Sequence, residues 1–449
     1  MHRYIIKFFL FCLLISCGKD EPKINTYTIL DEKERAKLRD EIIDDRFNNL
    51  LPRLMDDAAI DMWIVISREY NEDPVIKTML PSVWLNARRR TILVFYRNKQ
   101  ENTIEKLAVA RYDVGKNIKS AWNKEKEPNQ WSALNRIIEE RNPDKIGINI
   151  SKHFALADGL VKTDHDEFLE NLSVRNRKKI VSAEKLAIAW IETRTAKEMK
   201  LYKDLVLITH SIIDEAFSST VIIPGKTTTE DVVWWMRQKV TKLGLQTWFH
   251  PTIDIQRSKE PLKSHIYSFT KTGNDKVILP GDLLHCDFGI SYVGLNTDCQ
   301  QHAYVLRKKE TEVPEFLAEA FKKGNRLQDI LTTTMKTGKT GNEILLTSLN
   351  QAKKEGLKPA IYSHPLGNFG HSAGTTIGMW DSQNGVPVRG DYSLHNSTVY
   401  AIELNVTVAI KEWQKDIRIM LEEAGFFGEG KHEYVNERQE EIKPIKIKY

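Results

Sequence analysis

The chain has 449 residues, 41% of them hydrophobic and 28% charged, with a formal net charge of +5. That is the profile of a globular protein long enough for two or three domains. It carries no basic stripe of the kind that holds nucleic acid, and Arg88-Arg89-Arg90 reads as a solvated or ion-paired edge ahead of a strand.

At the N-terminus, His2, Arg3 and Lys7 precede an apolar core from Phe8 to Ile15. That core is far shorter than the roughly 20 residues a spanning helix needs, and it has the pattern of a secretory signal. Leu14-Ile15-Ser16-Cys17 resembles a bacterial lipobox. This predicts removal of residues 1–16, lipid attachment at Cys17 and a polar tether over 17–30. The protein is then expected as an exported lipoprotein, held to the membrane of the bacterial cell envelope at its periplasmic face or the cell surface. Cys286 and Cys299 remain in the mature chain. They are expected as buried, reduced thiols, with a cross-strand disulfide as the alternative.

Residues 31–57 predict a charged amphipathic helix interrupted near Pro52. Apolar runs at 62–67, 90–96, 107–112 and 145–150 predict strands, and 131–142 predicts a helix between them. Strands alternating with helices indicate an α/β domain over 31–188. A long helix from 182 ends near Phe217, and the second domain is placed at 189–449. Thr227 and Glu230 form a capping-box pattern for a helix Asp231–Lys242. A strand at 246–257 follows. Pro280-Gly281-Asp282 turns into the stretch Leu283–Gln300. Helices are expected at 313–335 and 341–356, the second closed by Gly356, and strands at 362–381, 398–410 and 416–427. Two helices among antiparallel strands give an α+β pattern.

The stretch 283–300 reads as a β-hairpin with Asp287 on one strand and Asp298 on the other. Placed opposite each other, they would share a face only about 5 Å apart, which is destabilising unless a cation lies between them. Three more such residues lie in strand-like apolar contexts: His371 in Gly-His-Ser-Ala-Gly, Glu403 in Ala-Ile-Glu-Leu, and Glu422 in Met-Leu-Glu-Glu. A lone buried carboxylate is costly. Four carboxylates and an imidazole suit manganese, cobalt, zinc or iron(II), and are enough for two ions.

The ordered set Asp, Asp, Gly-His-x-x-Gly, Glu and Glu resembles the pita-bread-fold metallopeptidases. A preceding α/β domain is similar to that of the aminopeptidase P, prolidase and creatinase branch. The resemblance covers about residues 40–449. It implies an α+β pita-bread catalytic domain behind a creatinase-type N-terminal domain. It further implies two divalent ions, manganese first among the candidates. Asp287 would bind one ion, Asp298 and Glu422 would bridge both, and His371 and Glu403 would complete the other. Glu403 would also move the proton from water to the leaving amine. His250 and His364 would stabilise the tetrahedral intermediate and, with Asp381, contact the peptide substrate. The implied reaction is hydrolysis of the N-terminal peptide bond of peptides or dipeptides, of the Xaa-Pro type, through a water activated between the ions. Members of the branch often pair as dimers.

The chain departs from the family pattern in several places. Leu404-Asn405 follows Glu403, Met379-Trp380-Asp381 stands where a second histidine is usual, and Arg418 lies four residues before Glu422. A creatinase-like hydrolase of C–N bonds and a peptide-binding lipoprotein without catalysis are the alternatives.

Overall fold

The computed structural model describes residues 28–262 and 276–446. The expected signal peptide, Cys17 and nearly all of the expected tether lie outside them.

In the first half, Met62–Arg68 (β1), Arg90–Asn98 (β2), Thr103–Val109 (β3), Lys119–Ser120 (β4), Ile146–Ile148 (β5) and Ile180–Ser182 (β6) form one mixed sheet, in the order β4-β3-β2-β1-β5-β6. The central strands β1, β2 and β5 are largely apolar and buried because both faces of the sheet are covered there. Trp63 and Val65 of β1 pack with Phe47, Leu54 and Trp190 on one side. Met62, Ile64 and Ile66 pack with Trp131, Ile137 and Phe168 on the other. Arg90 at the start of β2 pairs with Asp164 at 3.1 Å and Glu167 at 2.8 Å, so the triple-arginine edge is ion-paired at its last residue.

The long helix expected from residue 182 is two helices, Glu184–Glu192 and Ala196–Ala216. Thr195 caps the second in a capping box with Glu198. The expected division between residues 188 and 189 falls inside the first. Buried Glu198 binds Arg46 and Arg194, each at 2.8 Å, and so ties the N-terminal helical segment to the second half. The next helix is Thr229–Lys242, capped by Thr228 with Asp231, one residue later than the Thr227–Glu230 pattern predicts.

The second half continues with Thr252–Gln256 (β7), Leu283–Phe288 (β8), Ser291–Tyr292 (β9), Leu295–Asn296 (β10), Cys299–Val305 (β11), Lys358–Ile361 (β12) and His364–Leu366 (β13). Thr398–Ala401 (β14), Leu404–Ile410 (β15), Lys415–Leu421 (β16), Ala424–Gly428 (β17), Lys431–Tyr434 (β18) and Lys443–Ile445 (β19) complete it. They form sheets ordered β19-β11-β8-β7, β12-β15-β16 and β13-β14-β17-β18, besides the small β9-β10 ribbon. Helices Glu315–Thr334 and Gly341–Lys354 cover β15 and β16. Helices Ala196–Ala216 and Thr229–Lys242 cover the face of β8 and β11 that carries Cys286 and Cys299, both buried and free. No helix among the described residues is long and apolar enough to cross a membrane.

The hairpin forms, but in another register. Asp287 lies opposite Gln300, not Asp298, and Cys286 lies opposite Gln301, not Cys299. The turn is Val293-Gly294, with φ of 51° and 80°, and β9 and β10 pair across it. Two successive positive φ values mark the tight turn that suits a right-twisted hairpin. A β-branched residue rarely adopts that conformation, so Val293 hides the turn in the sequence. Each partner moves by two positions, which keeps every side chain on its expected face.

Candidate metal centre

Two apolar runs that read as single strands are each bent in the middle. The run 398–410 breaks at Ile402-Glu403 between β14 and β15, and the run 416–427 breaks at Glu422-Glu423 between β16 and β17. Each run thereby passes from one sheet into another, and its glutamate lies at the bend. Asp298 occupies a similar break between β10 and β11. An isolated bridge between Gln300 and Glu422 fastens the first sheet to these bends. β13 pairs with β14, setting His364 opposite Ala401.

The result is a buried acidic cluster. Asp287, Asp298, Glu403 and Glu422 are only 1% to 9% exposed. One carboxylate oxygen each from Asp287, Asp298 and Glu422 lies within 4.8 Å of the other two. His364 Nε2 stands 3.8 Å from Asp298, 3.8 Å from Glu403 and 3.7 Å from Glu422. Its Nδ1 lies 3.1 Å from the Pro365 carbonyl, an acceptor only. Nδ1 therefore carries a proton, and Nε2 is turned toward three carboxylates.

Burial is the main cause of the perturbed acidities. It pushes Asp287 up to about 7, with Asp254 adding to the rise and His285 opposing it. Asp298, Glu403 and Glu422 rise well above the ordinary carboxylate range for the same reason, reinforced by neighbouring carboxylates. Burial, then neighbouring His371, pushes His364 down to about 3 and keeps it neutral. Asp287 Oδ1, Asp298 Oδ1, Glu422 Oε1 and His364 Nε2 are buried without a hydrogen-bond partner. Four unpartnered electron-pair donors facing one another are costly as they stand. Oxygens plus one imidazole nitrogen are the donor set that divalent cations take, so the residues present fit such ions.

Both histidines lie at the carboxylates. His364, expected at the substrate, stands among them. His371, expected as the metal ligand, is exposed and lies beside the cluster, its ring 4.8 Å from that of His364 and 5.1 Å from that of Trp248. It still places one nitrogen within 4.8 Å of both an Asp298 oxygen and a His364 nitrogen. Between the two histidines the chain makes a close turn, in which Gly367 N donates to the Phe369 carbonyl at 3.1 Å. A Cβ on Gly370 would lie 2.3 Å from the Trp248 ring.

His250 is exposed, with its ring against Trp234 at 5.4 Å and its Nδ1 3.2 Å from Arg237. Asp381 is also exposed and hydrogen-bonds Ser382 at 3.3 Å. Neither has a described contact with the carboxylates. The sequence reading missed Tyr362, which hydrogen-bonds Glu403, and Gln300, which bonds both Glu403 and Glu422. Alternation on β11 could have found Gln300, two residues beyond Asp298 and on the same face.

Residues 200–423 match the model of metallopeptidase family M24.

The M24 match spans all five of the clustered residues. No curated protein sequence matches the chain. Among solved structures, an X-Pro aminopeptidase from Thermotoga maritima aligns over 88% of this chain and 100% of its own, at 14% identity and TM-score 0.62. An Xaa-Pro dipeptidase from Bacillus anthracis aligns over 92% and 100%, at 15% identity and TM-score 0.59. The N-terminal domain of a FACT complex subunit from chickpea aligns over 92% and 99%, at 13% identity and TM-score 0.54. At such identities the likeness shows the fold, here the architecture shared by the M24 peptidases, and chemistry has to be argued from the site.

Proposed function

We propose that this protein is a divalent-metal peptidase that hydrolyses the N-terminal bond of peptides or dipeptides, with Xaa-Pro bonds as its first candidate substrates. One observation carries the proposal: the Nε2 of His364, buried and without a hydrogen-bond partner, faces three buried carboxylates. The M24 match and the peptidase names of two structural neighbours support it.

His364, Glu403 and Glu422 form one set of donors, and Asp287, Asp298 and Glu422 form a second. Sharing Glu422, the two sets would hold two ions, with manganese first and cobalt, zinc or iron as alternatives. Such ions, when bound, activate water and polarise a carbonyl. Glu403, fixed at one oxygen by Gln300, takes the water proton on its carboxylate and passes it to the leaving amine. His371, neutral and at the edge of the cluster, is placed to orient the peptide, the part first expected of His364.

Metal analysis of purified wild type, His364→Ala and His371→Ala tests the assignment. Wild type and His371→Ala are expected to retain manganese, cobalt or zinc, and His364→Ala to lose it. Retention by His364→Ala with loss by His371→Ala would restore the original order. We also propose that the chain is exported and lipid-anchored through Cys17. A mature protein beginning anywhere but Cys17 would contradict this.

A further inference from the structure

We propose that Gln300 is a positioning residue that presets Glu403 and Glu422 for metal, and that His285 locks its amide in place; this rests on the metal-centre reading above. The side chain of Gln300 is buried among three polar neighbours. Its Nε2 donates to Glu403 Oε1 and, at 3.0 Å, to Glu422 Oε2. Both amide hydrogens are thus committed, one to each carboxylate. Its Oε1 lies 2.9 Å from His285 Nε2.

The amide can stand only this way round. Reversed, its oxygen would face two carboxylates and its N–H groups would face the imidazole. His285 must therefore donate from Nε2. The two carboxylates meet Gln300 through Glu403 Oε1 and Glu422 Oε2, and meet His364 through their other oxygens, Glu403 Oε2 and Glu422 Oε1. Each carboxylate is gripped at one oxygen and presents the other to the cluster. The backbone adds a second hold, since Gln300 N donates to the Glu422 carbonyl at 2.9 Å, across the bridge that joins the two sheets.

Gln300 faces Asp287 directly across the hairpin, and His285 is two residues before Asp287 on the same face. The hairpin therefore supplies both the ligands and the device that aims the two strand-bend glutamates at them. Asp254 Oδ2, 3.6 Å from His285 Nδ1, is beyond hydrogen-bond length, so the chain of bonds ends at His285. Groups that orient metal ligands in this manner typically change metal affinity by about 10- to 100-fold when removed.

The test is calorimetric titration of the full-length apoprotein with Mn²⁺, for wild type, Gln300→Leu, His285→Leu and His285→Gln, each checked for a cooperative thermal transition. Gln300→Leu is expected to bind Mn²⁺ about 10- to 100-fold more weakly. His285→Leu should weaken binding in the same direction, and His285→Gln, which keeps a donor toward Gln300, should recover most of it. A purely structural role would lower the melting temperature and leave affinity unchanged. Wild-type affinity in Gln300→Leu overturns the inference. Should that variant not fold, wild-type affinity in His285→Leu overturns it instead. Failure of wild type to bind Mn²⁺, Co²⁺ or Zn²⁺ overturns the metal-centre reading itself, and the inference with it.

Discussion

Glu192 shows how strongly a single buried carboxyl can couple to pH. It is 3% exposed, with Oε2 unpartnered against the backbone of Gly374 and Oε1 3.8 Å from His395. Burial pushes it up to about 8, against the opposing pull of Arg194. Between the ordinary glutamate value of about 4.3 and about 8, the folded chain holds this proton and the unfolded chain has lost it. Glu192 therefore lowers stability as pH rises through that window, by up to about 1.4 kcal/mol per pH unit, and has a constant effect above it. Glu192→Gln should gain on wild type across the window and be the more stable protein at its upper end, as read by denaturant unfolding at a series of pH values. A constant difference between the two proteins would contradict this. The four clustered carboxylates were legible in the sequence because a carboxylate inside an apolar strand demands a partner. The place of His364 among them was not, because its spacing from the Gly-His-Ser-Ala-Gly element carries no mark of a second imidazole at the cluster. Glu192 was hidden for another reason: nothing in a linear pattern distinguishes a buried polar residue at a helix end from an exposed one.

The hairpin Leu283–Val305 is the element on which the site depends. It carries Asp287, Asp298, His285 and Gln300, and its close packing leaves no room at Gly289, where a Cβ would lie 2.2 Å from the Thr297 carbonyl and 2.5 Å from the Trp248 indole nitrogen. Its existence was legible from two apolar runs around a glycine-rich turn. Its register was not, since a valine at positive φ displaces the turn by one position. The bends at Glu403 and Glu422 were hidden for a related reason: largely apolar residues on both sides give no mark where a strand leaves one sheet for the next. With the carboxylates left unneutralised, this hairpin should be the part that loosens. Chelation of metal is expected to speed amide hydrogen exchange across β8 and β11 while leaving helix Thr229–Lys242 near its starting rate. Equal exchange with and without metal would show that the hairpin does not depend on an ion.

At the scale of the whole molecule, Glu198 joins the two halves by gripping Arg46 from one and Arg194 beside the other, with all three side chains at most 2% exposed. Burial lowers Arg46 to about 10, so its guanidinium stays charged at neutral pH. Glu198→Ala strands two buried cations and should cost about 3–5 kcal/mol, as measured by urea unfolding. A loss under about 1 kcal/mol would mean that water reaches the pair, as at an exposed ion pair. The α/β first half and the α+β second half were legible from the spacing of apolar runs, whereas this ion triad, which spans more than 140 residues of sequence, was not. The molecule as a whole sets an α/β first half against a second half whose sheets converge on one cluster of donors, and the account stands on what that cluster does. Its most direct test is release of the N-terminal residue from Xaa-Pro and Xaa-Ala peptides by the Mn²⁺-loaded protein, wild type against Glu403→Gln. The account predicts metal-dependent turnover by wild type and a loss of at least about 100-fold in Glu403→Gln, the scale of general-base catalysis. Absence of turnover with Mn²⁺, Co²⁺, Zn²⁺ and Fe²⁺ alike, or undiminished turnover by Glu403→Gln, would contradict it.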